Sequence, residues 1–230
     1  MPAMINDVDM VLATTRAVRK RLDLERPVAP ELIEECLSLA QQATMGSNQE
    51  DWRFVAVTDA EQKRRIGDLY RAVWDDTVAN PLAAGDPATV ARLSPGRRGD
   101  ATEQQRQERV LESVKYLVDR LEQVPVLVVA CSAKPVPDEV LGGRASGYYG
   151  SIFPIVWSFQ LALRSRGLGS VLATAIAHRA RELSEVLELP EGTHPITLVP
   201  VAHTVGLDFK PARREPLSTI LRWDRWSGDA

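Results

Sequence analysis

The sequence predicts an α+β domain in which helices enclose a small mixed β-sheet. Three observations carry that reading. Helical and strand-like periods alternate along the 230 residues, the β-branched runs are short, and one helical stretch is apolar on nearly every side. With 44% hydrophobic and 26% charged residues, the chain has the composition of an ordinary globular enzyme and is long enough to bury a full core.

The elements follow in order. Residues 7–22 read as a helix, with Val8, Leu12 and Thr15 on one stripe. Residues 30–43 form a second helix, with Pro30 in its first turn, acids Glu31, Glu34 and Glu35 early, and Ile33, Cys36, Leu37 and Ala40 on one face. The run 53–58 is a strand, and Asp59 caps the next helix with Gln62 completing a capping box. That helix turns Ile66, Leu69, Tyr70 and Val73 inward. Residues 79–100, which include Pro81, Gly85, Pro87, Pro95, Gly96 and Gly99, form a lid or loop. An amphipathic helix over 102–123 uses Val110, Val114, Leu117, Val118 and Leu121 and leads into the apolar strand 126–130. After a glycine-rich turn, residues 151–166 carry Ile152, Phe153, Ile155, Val156, Trp157 and Phe159, and such a helix is expected to be wholly buried. A strand over 168–174, a helix over 179–187 and a strand over 196–205 complete the domain. The arm 207–230 holds Leu217, Ile220, Leu221, Trp223 and Trp226, which have no place in a monomer core and pack most easily on a second subunit. The whole chain, 1–230, reads as one domain with a lid and an arm.

Composition also excludes functions. Lys and Arg number 28 against 31 Asp and Glu, a net charge of −3, so no whole-chain positive field draws nucleic acid or anionic lipid. Cys36 and Cys131 are too far apart for a CxxC motif and read as buried thiols in a reducing compartment. The start lacks the order of a signal peptide, and the longest apolar stretch, 124–131, falls far short of the ~20 residues that span a membrane. A cytoplasmic protein with no membrane partner is expected. His178, His194 and His203 are isolated, so no metal site is expected, and neither a GxSxG elbow nor a Walker A loop occurs. With no convincing nucleophile or general base, any chemistry falls to an organic cofactor.

Three short motifs stand out. Arg16 and Arg19, three apart on the expected helix, converge on one anion, or else merely complement the negative end of that helix. Gly46-Ser47-Asn48 offers backbone N–H groups and an amide to a polar ligand, or is a plain helix cap with Gly46 left-handed. Gly167-Leu168-Gly169-Ser170 follows a helix and precedes a strand, the reverse of a dinucleotide fingerprint, and reads as tight helix-to-strand packing.

Taken together, the chain resembles the FMN-dependent nitroreductase family over nearly its whole length. The resemblance lies in Arg16-Ala17-Val18-Arg19, Gly46-Ser47-Asn48 before Trp52-Arg53-Phe54, the helix end running into Gly167-Leu168-Gly169-Ser170, and Arg213-Arg214-Glu215-Pro216-Leu217. It implies a homodimer with two FMN molecules in the interface, each held by both chains. Arg16, Ala17, Val18 and Arg19, with Arg213 or Arg214, would hold the FMN phosphate and the electron-rich edge of the ring. Met45, Ser47 and Asn48 would approach from the partner, and Leu172, Ala173 and Thr174 would lie along the isoalloxazine. The flavin carries the chemistry, so no catalytic side chain is assigned.

The implied activity passes a hydride from NAD(P)H through FMN to a nitroaromatic, quinone or similar planar small-molecule acceptor in a ping-pong cycle. Relatives with dehalogenating, flavin-fragmenting or dehydrogenating chemistry are the alternative, as is a flavin-binding protein without turnover. Tyr148 and Tyr149, beside Gly142, Gly143, Gly147 and Gly150, are expected as pocket walls on a mobile loop, or as ordinary surface tyrosines. Two departures from the family pattern matter. Ala17 stands where serine is common, removing a phosphate bond worth about 1 kcal/mol. Glu50-Asp51 replaces Gln-Pro, and a Glu50 carboxylate would repel a reduced flavin unless it turns away or is paired.

Overall fold

A computed structural model of the chain describes residues 7–79, 101–138 and 142–226. The expected lid, apart from Ala79, and the last four residues of the arm lie outside the described residues. Six helices and four strands follow the expected order among the described residues: α1 Val8–Thr14, α2 Pro30–Ala40, β1 Trp52–Val57, α3 Ala60–Trp74, α4 Ala101–Val118, β2 Val126–Ser132, α5 Gly143–Ser165, β3 Leu168–Ser170, α6 Ala180–Val186 and β4 His194–His203.

The strands form one sheet in the order β1-β2-β4-β3, with every neighbouring pair antiparallel. Its parallel component is a single bridge between Ala17 and Ser170 on the outer edge of β3. Every residue of β2 is buried, which requires cover on both faces of the sheet. Alternation sorts that cover: Leu127, Val129 and Cys131 join Ile66, Tyr70, Leu117 and Leu183 of α3, α4 and α6. Val126, Val128 and Ala130 join Ile33 and Cys36 of α2 and Ile155 and Phe159 of α5. Asp59 caps α3 by accepting from the Gln62 N–H at 2.9 Å, but Gln62 Oε1 is buried without a partner among the described residues, so only half of the capping box forms. Among the described residues no helix is long and apolar enough to cross a membrane.

Three expectations about the helices are corrected. α1 ends at Thr14 and does not run to residue 22. The hydroxyls of Thr14 and Thr15 bond back to the Met10 and Val11 carbonyls at 2.6 Å, and Val18 N–H then leaves the helical path to reach Ser170 O at 2.9 Å. Arg16 therefore sits on non-helical chain and Arg19 opens a turn that the Leu22 N–H closes on its carbonyl at 3.2 Å, so the two share no helix face.

α5 begins at Gly143, well before residue 151, so the glycine-rich stretch with Tyr148 and Tyr149 is helical. Burial of Ala145 and Tyr148, the latter in one cluster with Ile33 and Cys36 of α2 and Trp52 of β1, overrides the low helix propensity of its glycines. Nor is α5 wholly buried. Tyr149 is 41% and Trp157 44% exposed, and with half-buried Phe153 and Leu161 they form a stripe four residues apart along one side.

Candidate functional site

The arginine segment is placed by packing on β3. Val18 and Leu22 point into the core at 5% and 3% exposure, while Arg16 and Ala17 face outward and Arg19 is half-buried. This approach is possible because residue 169 is glycine. A Cβ there would meet Thr204 Cγ2 at 2.6 Å, Val18 Cγ1 at 3.0 Å and Leu22 Cδ2 at 3.1 Å. Tight packing at Gly169 is thus what the Gly-Leu-Gly-Ser motif encodes.

Among the described residues no acidic side chain pairs with Arg19. Burial holds its guanidinium below the usual arginine range, and Tyr70 beside it opposes that shift. The Tyr70 phenol is pushed up by its own burial, so it stays neutral and supplies no counter-charge at neutral pH. A partly desolvated cation with no acid is arranged to receive an anion. Arg16 is exposed and donates from Nη1 to the Lys210 carbonyl at 3.3 Å, which draws the start of the C-terminal arm alongside it.

Beyond β3 the chain keeps alternating. Ala173 is buried and exchanges backbone bonds with Leu198, whereas Leu172 is 38% exposed and Thr174 is exposed at the start of a 3-10 turn. Arg213 and Arg214 are exposed a few residues past Lys210. One chain therefore brings residues 16–19 beside Ser170, which leads into 172–174, and holds the start of the arm at Arg16.

The loop of Met45, Ser47 and Asn48 sits elsewhere. Met45 is half-buried against the α2–α5 core. Gly46 N–H donates to Ser151 Oγ at 3.0 Å, and that hydroxyl donates to the Gly147 carbonyl at 2.7 Å. Gly46 is not left-handed. It opens a 3-10 turn, and Asn48 takes the positive φ of 52°. The loop engages α5 at Ser151, whereas Ser170 engages it at Gln160 and the end of α1 at Arg164, so about 14 to 20 Å of helix separates the two groups.

Between this loop, the end of β2 and the start of α5 lies a pocket of about 570 Å³, walled by Trp52, Tyr148 and Ile152 and edged by Asp51, Lys134 and Arg144. Asp51 pairs with Lys134. Glu50 is exposed, and its carbonyl accepts from Arg53 at 3.0 Å. Tyr148 lines the pocket from a helix with its phenol pushed up by burial. Tyr149 packs edge-on against it at 5.1 Å but faces the outer stripe. The two tyrosines are therefore divided between the pocket and the surface, and neither rides on a mobile loop.

Sequence reading missed Arg164, a buried cation near the end of α5, together with its contacts to the arm. An arginine within an otherwise apolar helical run was the available signal, because such a charge must find acceptors.

The nitroreductase family model matches residues 12–203. Among solved structures, oxidised iodotyrosine deiodinase bound to FMN and 3-iodo-L-tyrosine is similar to the chain with a TM-score of 0.68 and 21% identity, covering 96% of this chain and 100% of that one. Nitroreductase A from Vibrio parahaemolyticus gives 0.64 and 17% over 98% and 79%. A variant of an FMN and NADPH-dependent nitroreductase derived from Sphigopyxis sp. gives 0.62 and 20% over 96% and 100%. At these identities the structures bear on the fold, while the match over most of the chain settles the membership: this protein belongs to the nitroreductase family.

Proposed function

We propose that the protein is a cytoplasmic, homodimeric FMN-dependent oxidoreductase that takes reducing equivalents from NAD(P)H and delivers them to nitroaromatic, quinone or similar planar acceptors. The observation that carries this reading is Arg19, half-buried and without an acid partner among the described residues, two residues past Ala17, which bridges Ser170 just before the exposed Leu172 and Thr174. Those residues fit a flavin phosphate and ring. Arg16 with Arg213 or Arg214 would hold the phosphate, and Arg19 would face the electron-rich edge of the ring. Leu172, Ala173 and Thr174 would flank the ring, with Val18 anchoring the segment beneath. Ala17 leaves the phosphate one donor short of the common family pattern. When bound, FMN supplies the hydride chemistry, and no side chain of the protein need form a covalent bond.

The homodimer is supported by what one chain leaves undone. Met45, Ser47 and Asn48 stand at the far part of α5 from Arg16 and Arg19, and a second copy is the simplest way to join the two groups. The α5 stripe and the arm, where Leu217, Ile220 and Trp223 are 65%, 68% and 81% exposed, supply apolar surface for that contact. The whole chain, 1–230, is one domain in this reading, with residues 207–230 as its arm. Glu50, being exposed, has room to turn away from a reduced flavin.

Purified protein incubated with FMN should turn yellow, bleach on anaerobic addition of NADH or NADPH, and recolour faster with a nitroaromatic than with oxygen alone. Protein that takes up no FMN overturns the proposal. Faster recolouring by a halotyrosine than by a nitroaromatic transfers it to dehalogenation, and FMN uptake with no nicotinamide oxidation transfers it to flavin binding without turnover.

A further inference from the structure

The C-terminal arm leaves the domain through a set of contacts that the flavin reading does not use. Arg21 and Val205 exchange two hydrogen bonds, Val205 N–H to the Arg21 carbonyl at 2.9 Å and Arg21 Nε to the Val205 carbonyl at 2.8 Å. Gly206 then turns the chain at φ 74°, with space for no side chain, since a Cβ would stand 2.6 Å from Arg21 Nη2. That same Nη2 binds Asp208 at 2.6 Å. Next, Phe209 N–H closes back on the Leu207 carbonyl at 2.9 Å, which also accepts from Arg164 Nη2 at 3.0 Å. The Phe209 ring lies 4.1 Å from the Arg21 guanidinium carbon and 4.7 Å from that of Arg164.

Arg164 is only 4% exposed, and its Nη1 is buried without a partner among the described residues. A buried cation with no carboxylate is costly unless dipoles and hydrogen bonds replace water. Here the replacements are Thr14 Oγ1 at 3.1 Å, the Leu207 carbonyl, the Phe209 ring, and the C-terminal ends of α1 and α5, whose dipoles favour positive charge. Two of these belong to the arm. A slip of the arm by one residue would remove both from Arg164 at once, so the buried charge penalises any other register.

We propose that Arg164, Arg21 and Phe209 form a positioning clamp that fixes the register of the C-terminal arm and so sets where Arg213 and Arg214 stand relative to Arg16. The inference rests on the flavin reading, in which those arginines meet the phosphate. From Lys210, whose carbonyl Arg16 holds, to Arg213 is at most about 10 Å of extended chain, so a displaced register moves the arginines by a large part of that reach.

The test compares FMN with riboflavin, which lacks the phosphate, by fluorescence titration of the full-length protein. Wild-type protein should prefer FMN. In Arg164→Met and Phe209→Ala the ratio of riboflavin Kd to FMN Kd should fall about tenfold, the loss of one charge-assisted contact, while riboflavin affinity moves far less. Phe209→Tyr should retain the wild-type ratio. A clamp that merely stabilises the fold would weaken both flavins together, leaving the ratio unchanged, and that result overturns the proposal even though wild type binds FMN. Wild type that binds neither flavin brings down the flavin reading and the clamp with it. Should Arg164→Met fail to fold, Phe209→Ala reads the same ratio with every arginine in place.

Discussion

Replacing Gly169 by alanine tests whether the site depends on how closely the arginine segment approaches β3. The added methyl would lie 2.6 Å from Thr204 Cγ2, 3.0 Å from Val18 Cγ1 and 3.1 Å from Leu22 Cδ2, against an ordinary carbon contact of about 3.5–4.0 Å. Three neighbours from two segments crowd it, so no single rotation relieves the overlap. Turning Thr204 aside costs its Oγ1 bond to the Gly167 carbonyl, about 1 kcal/mol. The remaining overlap falls in the ~1–3 kcal/mol range of overpacked cores. Reduced freedom of the unfolded chain offsets about 0.4–1 kcal/mol. A net loss of about 1–3.6 kcal/mol lowers Tm by about 2–14 °C in a chain of this length.

The assay is thermal unfolding followed by circular dichroism, paired with FMN titration, because the same push displaces Arg16 and Arg19. Adding Thr204→Ser removes the nearest methyl and should recover part of the loss, a coupling that a double-mutant cycle measures. Gly143→Ala is the control: nothing lies within 4 Å of its added methyl, so it should be neutral or mildly stabilising. If Gly169→Ala melts within about a degree of wild type, the close-approach argument is wrong.

Further outcomes concern the framework. Arg166 is 7% exposed and donates to Glu35, the Ala162 carbonyl and Ser165 Oγ, so Arg166→Met should cost about 1–3 kcal/mol in urea unfolding, with Glu35→Gln milder because Glu35 is solvated. Burial pushes the Cys36 thiol up to about 11 and that of Cys131 to about 12, so neither should react with Ellman's reagent at pH 8 until the protein is unfolded. His203 is held below its ordinary 6.5 mainly by burial, so below that pH the unfolded chain binds a proton that the native state refuses. Stability should therefore fall as pH drops from about 6.5 through the depressed native value, and His203→Gln should flatten that slope in urea midpoints. The carboxyls of Glu35, Glu182 and Asp208, lowered chiefly by arginine hydrogen bonds, add a loss in the same direction at more acidic pH.

The order of elements was legible because burial leaves a period: β2 reads as an unbroken apolar run since both of its faces are covered, and α3 shows Ile66, Tyr70 and Val73 at helical spacing. What escaped depends on partners distant in sequence. The Thr14-Thr15 pair is a local mark at the end of α1, but it does not decide it alone, because the competitor that takes Val18 N–H is Ser170 on another strand. Gly143, Gly147 and Gly150 argue for a turn by propensity alone, and the burial of Ala145 and Tyr148 decides otherwise. The grouping of Arg16, Arg19 and residues 172–174 at one site came from resemblance, and the bridge from Ala17 to Ser170 is a contact between distant segments that no local pattern announces. Arg164 and Phe209 were invisible as a pair because their contact spans the end of α5 and the arm.

The division of labour along α5 that we propose has a genetic consequence. In a twofold assembly each flavin would draw its arginines from one polypeptide and its Gly46 turn from the other. Two crippled variants, one altered at Arg19 and one in that turn, would each be inactive alone, yet a mixed pair would concentrate both lesions in one crevice and leave the other whole. Co-refolding them in equal amounts should restore about a quarter of full turnover, since half of the pairs are mixed and each carries one sound crevice.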